Sequence, residues 1–582
     1  MLLLSAHLAW KRAKTMTVKT RLAIVEDNAS ARIHLRSHLL ALGNLDIFSF
    51  SNGQELKSAL RTQSMDIVVF DFHLGQHKNG VEWVQSLQKA GLLKPSTGVI
   101  FVTSDQTPQT IGQIIDLQPD FLIIKPYTIR TIKQIMQQYL SIRRLTLGIL
   151  ERIDKGELAE ALRELDDLIA NPKYVKQQVH LLKLSGKLLL QNQQYDKALA
   201  LYQSVLKRSD RVIWARWGLV KSLFMRGDWQ RCQQQISHLL DIQLTQNKAY
   251  EWLACIEFEQ HNYAQAERWL DNIKLSELTL QAVRLKSMTY EMLERIDDAI
   301  ALLEKKRQTA LSVREHREEL TFELADYHIK NAAAVNLEQR KEDLYKARCL
   351  IGNAGRSTGD RQIHQRRDYM LSLANLLEGE TERAKRLLEN DWMHNFSRSE
   401  VNTMLIAAQV WQGVGDAERA QLILQECESK IAGLGDQVEQ SILQTLLISN
   451  EKQLNNADDL AMQYNQRGND AFIAGRHHEA LACFYKAYRL AASIPAFAIN
   501  LLQCMVKHGL SSYRGTYTLS LVEDLQEYPL SQSNRQRLNE IKRQIASAPT
   551  AFTPKPDDTG LPDVGAEESD KGNADLLPSA LH

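Results

Sequence analysis

Apolar and polar positions follow two different rhythms over the first quarter of the chain. Short apolar runs, "RLAIV" (Arg21–Val25), "LDIFSF" (Leu45–Phe50), "DIVVF" (Asp66–Phe70), "GVIFV" (Gly98–Val102) and "FLII" (Phe121–Ile124), are strand-sized and rich in Ile, Val and Phe. Between them lie "ARIHLRSHLLALG", "GQELKSALRT", "NGVEWVQSLQKAG" and "QTIGQIIDL", with apolar residues at helical spacing, and "TIKQIMQQYL" follows the last strand. Strict alternation of five strands and five helices predicts a doubly wound α/β fold, a five-stranded parallel sheet covered on both faces. In such sheets chemistry gathers just beyond the carboxyl ends of the strands.

After Ile142 the strand-sized runs stop, Gly and Pro thin out, and helical patterns follow one another. A short motif recurs: Gly or a polar turn, a residue pair, two more residues, then a small side chain. "KGELAEALREL" places the small residue at Ala161, "NQQYDKALALY" at Ala198 and "RGDWQRCQQQI" at Cys232; it returns at Ala266, Ala299, Ala384, Ala420 and Ala480, with a weaker copy at Ala347. The spacing from Ala161 to Ala299 stays near the ~34 residues of a two-helix unit. This pattern resembles the tetratricopeptide (TPR) repeat, and implies an all-α solenoid with an inner groove for peptides or helices and no catalytic constellation. In that reading the small residue lies where the second helix of a pair crosses the first. Gly186 and Gly468 hold the matching tight positions in first helices, and Tyr195, Trp229 and Tyr263 fill the turns. The resemblance is diffuse between Thr309 and Arg367. The expected organisation is a tail (1–18), a sheet domain (19–142), a helical repeat region (143–546) and a disordered acidic tail (547–582), rich in Pro and Gly with little to bury.

Composition narrows the function classes. Lys and Arg total 71 against 70 Asp and Glu, so no global basic field draws the chain to nucleic acid or anionic lipid. The six cysteines lie far apart without a CxxC pair, reading as buried hydrophobes of a reducing cytosol. No stretch approaches the roughly 18 apolar residues of a membrane helix. The opening "MLLLSAHLAWKRAK" carries its charges after the apolar run, against the order of a secretory signal, and Met16 offers a second start.

The polar residues at the strand ends carry the candidate chemistry. Glu26 and Asp27 end the first strand, Asp71 the third, Thr103 the fourth and Lys125 the fifth. Adjacent carboxylates at the end of a buried strand are costly, and a bound cation or a solvated loop must compensate them. A third carboxylate on the same rim favours a hard divalent cation such as Mg²⁺, which takes oxygen ligands and keeps positions open for phosphate.

This constellation, from about Lys19 to Ser141, resembles the receiver domain of two-component response regulators, a CheY-like, flavodoxin-like fold. The resemblance implies that Asp71 is the phosphoacceptor. It also implies that Glu26, Asp27, Asp71 and the main-chain carbonyl of His73 hold Mg²⁺, and that Thr103 and Lys125 contact the phosphoryl group. The Lys125–Pro126 pair matches the family, where this bond is commonly cis. The family often places Tyr or Phe three residues before the lysine; here that residue is Leu122, with Phe121 beside it. The readout face is expected at about Thr107 to Tyr139. His73 and Asp105, each two residues past a key residue, either tune acyl phosphate hydrolysis or are exposed rim residues.

Other candidates have plainer readings. His34 and His38 have metal-ligand spacing but no third ligand, and His477 and His478 fall in a repeat turn. "GVGDAE" (Gly413–Glu418) lacks the preceding strand of a phosphate loop, and Trp214, Trp217, Trp252 and Trp269 suit packing between repeats.

The expected function is that of a bacterial two-component response regulator. A histidine kinase or phosphotransfer protein loads Asp71, and the TPR array serves as a phosphorylation-controlled protein-interaction output, binding an effector or feeding back on the kinase. The receiver catalyses transfer to and from its own aspartate, so no separate enzyme domain is expected. Neither nucleic-acid binding nor membrane insertion is expected, and the location is cytoplasmic. The alternatives are a phosphate sink or phosphatase of the relay, or a transcription regulator with an unrecognised DNA-binding element.

Overall fold

The computed structural model describes residues 19–552 apart from 44, 76–77, 310–313, 355–360 and 455–456. The tail expected at 1–18 and the acidic stretch from 553 lie outside the described residues.

Strands β1 (Thr20–Val25), β2 (Leu45–Phe50), β3 (Ile67–Asp71), β4 (Gly98–Thr103) and β5 (Phe121–Ile124) form one parallel sheet in the order β2-β1-β3-β4-β5. Helices α1 (Ala29–Leu40), α2 (Gly53–Leu60), α3 (Gly80–Lys89), α4 (Pro108–Asp116) and α5 (Ile129–Leu145) alternate with them. Each helix starts on a side-chain cap: Asn28, Asn52, Asn79, Thr107 and Thr128 accept from the backbone N–H three residues on. At Asn79 the glutamate Glu82 answers back to complete a capping box. Successive strand residues point to opposite faces, and the apolar runs therefore feed two cores. Phe70, Phe101, Val84 and Ile114 pack on one side, and Ile24, Val69, Ile100 and Met136 on the other.

The chain forms two compact units, the first running through Gly218 and the second starting at Leu219. In the first, α5 passes through Thr146 into α6 (Leu147–Asp154), followed by α7 (Leu158–Ala170), α8 (Gln178–Gln191) and α9 (Tyr195–Arg208). Asp154 accepts from the backbone N–H and hydroxyl of Ser96 at 3.1 and 2.7 Å. The Lys183 ammonium donates to the Pro119 carbonyl at 2.8 Å, and the His180 ring lies 5.3 Å from Phe121. These contacts tie α8 to the start of β5. Burial lowers the Lys183 pKa, with the charge of Asp120 opposing.

Helix α10 (Ile213–Arg226) precedes α11 (Trp229–Leu240), α12 (Gln246–Glu259), α13 (Tyr263–Asp271), α14 (Leu280–Met292), α15 (Ile296–Thr309), α16 (Arg314–Ala334) and α17 (Leu337–Ala354). Then come α18 (Arg361–Leu377), α19 (Thr381–Leu388), α20 (Val401–Gly413), α21 (Ala417–Ala432), α22 (Gln437–Leu454), α23 (Ala457–Ile473), α24 (His477–Leu490), α25 (Pro495–Lys507) and α26 (Thr518–Glu527). The region is a TPR-type solenoid. Ala161, Ala198, Cys232, Ala266, Ala299, Ala384, Ala420 and Ala480 all lie on second helices and are wholly buried. A Cβ on Gly186 would meet the Tyr202 ring at 2.5 Å, and one on Gly468 the Phe484 ring at 2.7 Å. First helices end in left-handed turns, at Gly227, Gly379, Gly415 and Gly475, or at Gln193, His261 and Glu294 where glycine is absent. Trp217, Trp252 and Trp269 are buried in packing. The "GVGDAE" stretch is one such turn, with Asp416 capping α21.

Two features depart from expectation. Helical structure continues past residue 547, because α28 (Pro549–Phe552) follows α27 (Gln532–Ser547) and buries Phe552. That aromatic ring gives the segment something to bury. The groove, secondly, is not open throughout. Helix α12 is buried all round, from Trp252 and Cys255 to Glu251 and Glu257, and α22 lies against it although the two are about a third of the chain's length apart in sequence. Thr445 Oγ1 donates to Glu259 at 3.4 Å, Ser441 Oγ also bonds Glu259, and Lys248 pairs with Asp436 at 3.5 Å. Among the described residues no helix is long and apolar enough to cross a membrane.

Candidate functional site

The site is assembled by the carboxyl ends of β1, β3, β4 and β5. Pairing continues one residue past β1, where Glu26 N–H donates to the Phe50 carbonyl at 3.2 Å. That holds Glu26 in the sheet, 3 % exposed, while Asp27 turns out to solvent. The Arg32 guanidinium reaches back from α1 to the carbonyls of Glu26 (2.6 Å) and Asp27 (3.3 Å) and fixes this turn. Asp71 ends β3 and is buried. Gly80 N–H donates to the Phe72 carbonyl at 2.8 Å, and a Cβ at Gly80 would stand 2.4 Å from the Asp71 carbonyl oxygen. Only glycine lets α3 start this close to the acidic rim. Gly75 turns with φ +71 beside the Asp27 carboxylate.

Lys125 follows β5 and is joined to Pro126 by a cis bond. Its N–H donates to the Thr103 carbonyl at 2.7 Å. Its ammonium bridges Glu26 Oε2 at 2.7 Å and Asp71 Oδ2 at 2.8 Å. Burial raises the Glu26 pKa, and the neighbouring Asp71 charge adds to it, while Lys125 pulls the other way. At Lys125 burial works against the charge, but hydrogen bonds to Asp71 and Glu26 outweigh it and raise the pKa.

The other rim is built on β4. Thr103 is fully buried, and its hydroxyl accepts from Asp105 N–H at 3.1 Å. The Asp105 carboxylate accepts from Thr110 Oγ1 (2.6 Å) and Thr107 N–H (2.8 Å), and lies 3.1 Å from His73 Nε2. The Thr110 hydroxyl above all holds the Asp105 carboxyl well below the usual carboxylate range. His73 and Asp105 therefore meet across the mouth of the site. Leu122 packs into the core beside Phe101, whereas Phe121 turns to the opposite face against Tyr139 at 5.8 Å.

Oxygen atoms of Glu26, Asp27 and Asp71 lie within 4.8 Å of one another. An acidic set of oxygen donors with Glu26 and Asp71 buried fits a hard divalent cation, which would compensate the burial that chiefly raises the Glu26 pKa and the Asp71 charge that adds to it. Elsewhere, His38 packs edge-on to Tyr127 and His477 against His508, as packing residues do. Sequence reasoning missed Arg32, Gly80 and Thr110. Only Gly80, directly before a helical run and nine residues past Asp71, offered a signal.

Residues 22–137 match the family model of the response regulator receiver domain. Among solved structures, the chemotaxis protein CheY4 of Vibrio cholerae is 18% identical, covering 20% of this chain and 97% of its own, with a TM-score of 0.19. A tetratricopeptide repeat protein from Parabacteroides merdae is 16% identical, covering 53% of this chain and 99% of its own, with a TM-score of 0.31. No curated protein matches the chain.

Proposed function

We propose, from the premise that residues 22–137 are a receiver domain, that this response regulator is a phosphorylation-controlled switch whose TPR array engages a protein partner. A phosphohistidine on a sensor kinase or phosphotransfer protein is the donor. The Asp71 carboxylate attacks phosphorus in line as the N–P bond of the donor breaks, giving an aspartyl phosphate and a neutralised imidazole. Mg²⁺, held by Glu26, Asp27, Asp71 and the His73 main-chain carbonyl, would neutralise charge shared by nucleophile and phosphoryl group. Lys125 exchanges Asp71 for a phosphoryl oxygen, and the Thr103 hydroxyl turns to donate to another. Each move drags a loop, because Lys125 leads into α5 and Thr103 into α4. The His73–Asp105 pair over the mouth governs access of hydrolytic water. The receiver catalyses its own transfer and no other catalytic domain is needed; the setting is cytoplasmic.

The observation that carries this reading is the Lys125 ammonium held between Glu26 and Asp71 at 2.7 and 2.8 Å. It sets a positive charge against the buried nucleophile and stands where phosphoryl charge will develop. Partner capture with and without beryllofluoride, a stable phosphoryl mimic, tests the switch. The partner set or affinity should change in the wild type and not in Asp71→Asn. Identical partners and affinities in every arm would remove the switch.

A further inference from the structure

Helix α22 and the hairpin β6–β7 (Ser512–Tyr513 and Thr516–Tyr517) touch parts of the solenoid far away in sequence. A contact between non-adjacent helix pairs crosses the inside of the solenoid, where an interaction groove lies. Two separate contacts close it. At one, Ser441 and Thr445 of α22 bond Glu259 at the end of α12, and Asp436 meets Lys248. At the other, Arg514 N–H donates to the Gly227 carbonyl at 2.7 Å, and a Cβ on Gly227 would lie 2.5 Å from the Tyr513 ring.

The turn of that hairpin is unusual in its residue choice. Arg514 (φ 47) and Gly515 (φ 77) form a two-residue turn with both residues left-handed, a place where Asn-Gly is ordinary and a long side chain is strained. The guanidinium gives the reason. It lies 5.7 Å from each of the Trp229, Tyr485 and Tyr513 rings, a cation held in an aromatic box. Trp229 opens α11, whereas Tyr485 belongs to α24, so the side chain bolts two distant repeats together.

We infer that α22 is an intramolecular occupant of the groove along α12 and α14, in a closure that Arg514 bolts at a second point, and that the partner is an amphipathic helix taking its place. This rests on the reading of the array as a protein-binding output. The partner's chemistry is set by what it replaces: a helix laying an apolar stripe inward, with hydroxyl or basic side chains facing Glu259. The resting protein presents this groove already filled, and a partner binds in proportion to the opened fraction.

Hydrogen exchange on the full chain tests the clasp. Arg514→Asn keeps or improves the turn and removes the bolt, and Ser441→Glu sets a carboxylate against Glu259. Each should raise exchange about tenfold in α12, α22 and the hairpin, with a smaller rise in α20 and α21, whose core α22 shares, and none in the receiver. Adding Glu259→Lys to Ser441→Glu should restore protection. A synthetic peptide of residues 437–454 should bind the Ser441→Glu protein and not the wild type. Unchanged exchange, a rise spread evenly over all helices, failure of the charge swap to restore protection, or a peptide that binds neither protein would each overturn the inference. Partner capture by the wild type under beryllofluoride is read separately, so a failed clasp and a failed output reading are distinguishable.

Discussion

At the residue scale the site is a problem of like charges. Glu26 and Asp71 are both buried and both reach Lys125, so one ammonium holds two carboxylates in a medium that penalises either alone. Lys125→Met leaves that pair uncompensated and should destabilise the metal-free receiver by roughly 3–5 kcal/mol. Millimolar Mg²⁺ should return part of it, about 1.4 kcal/mol at ten times its dissociation constant. Thermal melting followed at the receiver, with and without Mg²⁺, checks both; an unshifted melt excludes the bridge as a support. Asp105 behaves oppositely. Its carboxyl is held low by Thr110 and by Thr107, so the folded state binds this proton less readily than the unfolded chain. The stabilisation is present above the usual carboxylate range near pH 4 and is lost as pH falls. Asp105→Asn should therefore cost roughly 1–2 kcal/mol at pH 7 and progressively less below about pH 4, with part of the cost still present at about pH 2, measured by denaturation across pH. The residues that meet on the rim were legible because each follows an apolar run, where a polar group has no packing role. Arg32 and Thr110 were not, because each acts through a main chain or carboxylate distant from its own local pattern.

At the element scale the repeat signal is the close approach of helix pairs. Gly468 on α23 faces the Phe484 ring on α24 at a distance that leaves no space for a Cβ. Gly468→Val should cost about 1–3 kcal/mol through overpacking, lowering the melting of the helical region while phosphorylation of Asp71 proceeds as before. Where the repeat pattern fades, between Thr309 and Arg367, polar pairs are set among the apolar residues of the interior. His328 and Asp343 pair in the core at 2.8 Å, Asn331 donates to the same carboxylate at 3.0 Å, and Arg366 bonds Glu319 at 2.8 Å. Buried polar side chains occupy positions where a repeat consensus expects aliphatic ones, so hydrophobic periodicity could not reveal α16 to α18 as packed helices. Helix α22 was hidden for another reason. Its signature is the long gap between Ala420 and Ala480, a stretched interval that says nothing about where the extra helix packs.

At the scale of the whole chain, two kinds of fold divide the work, and sequence distinguishes them well. Near-continuous apolar runs demand a sheet covered on both faces, and the order β2-β1-β3-β4-β5 brings four strand ends to one rim. A balance of 71 basic and 70 acidic residues gives the chain no global field of either sign, so charge acts locally, as at Glu259 in the helical region. What pattern alone could not supply is the closure of the second unit on itself, since long-range contacts leave no periodicity behind. All of it depends on whether the buried aspartate accepts a phosphoryl group. Intact mass after incubation with Mg²⁺ and acetyl phosphate decides this: wild type should gain about 80 Da, lost again on standing, and Asp71→Asn should gain nothing. No gain in the wild type, or an equal gain in Asp71→Asn, would contradict the assignment of this site.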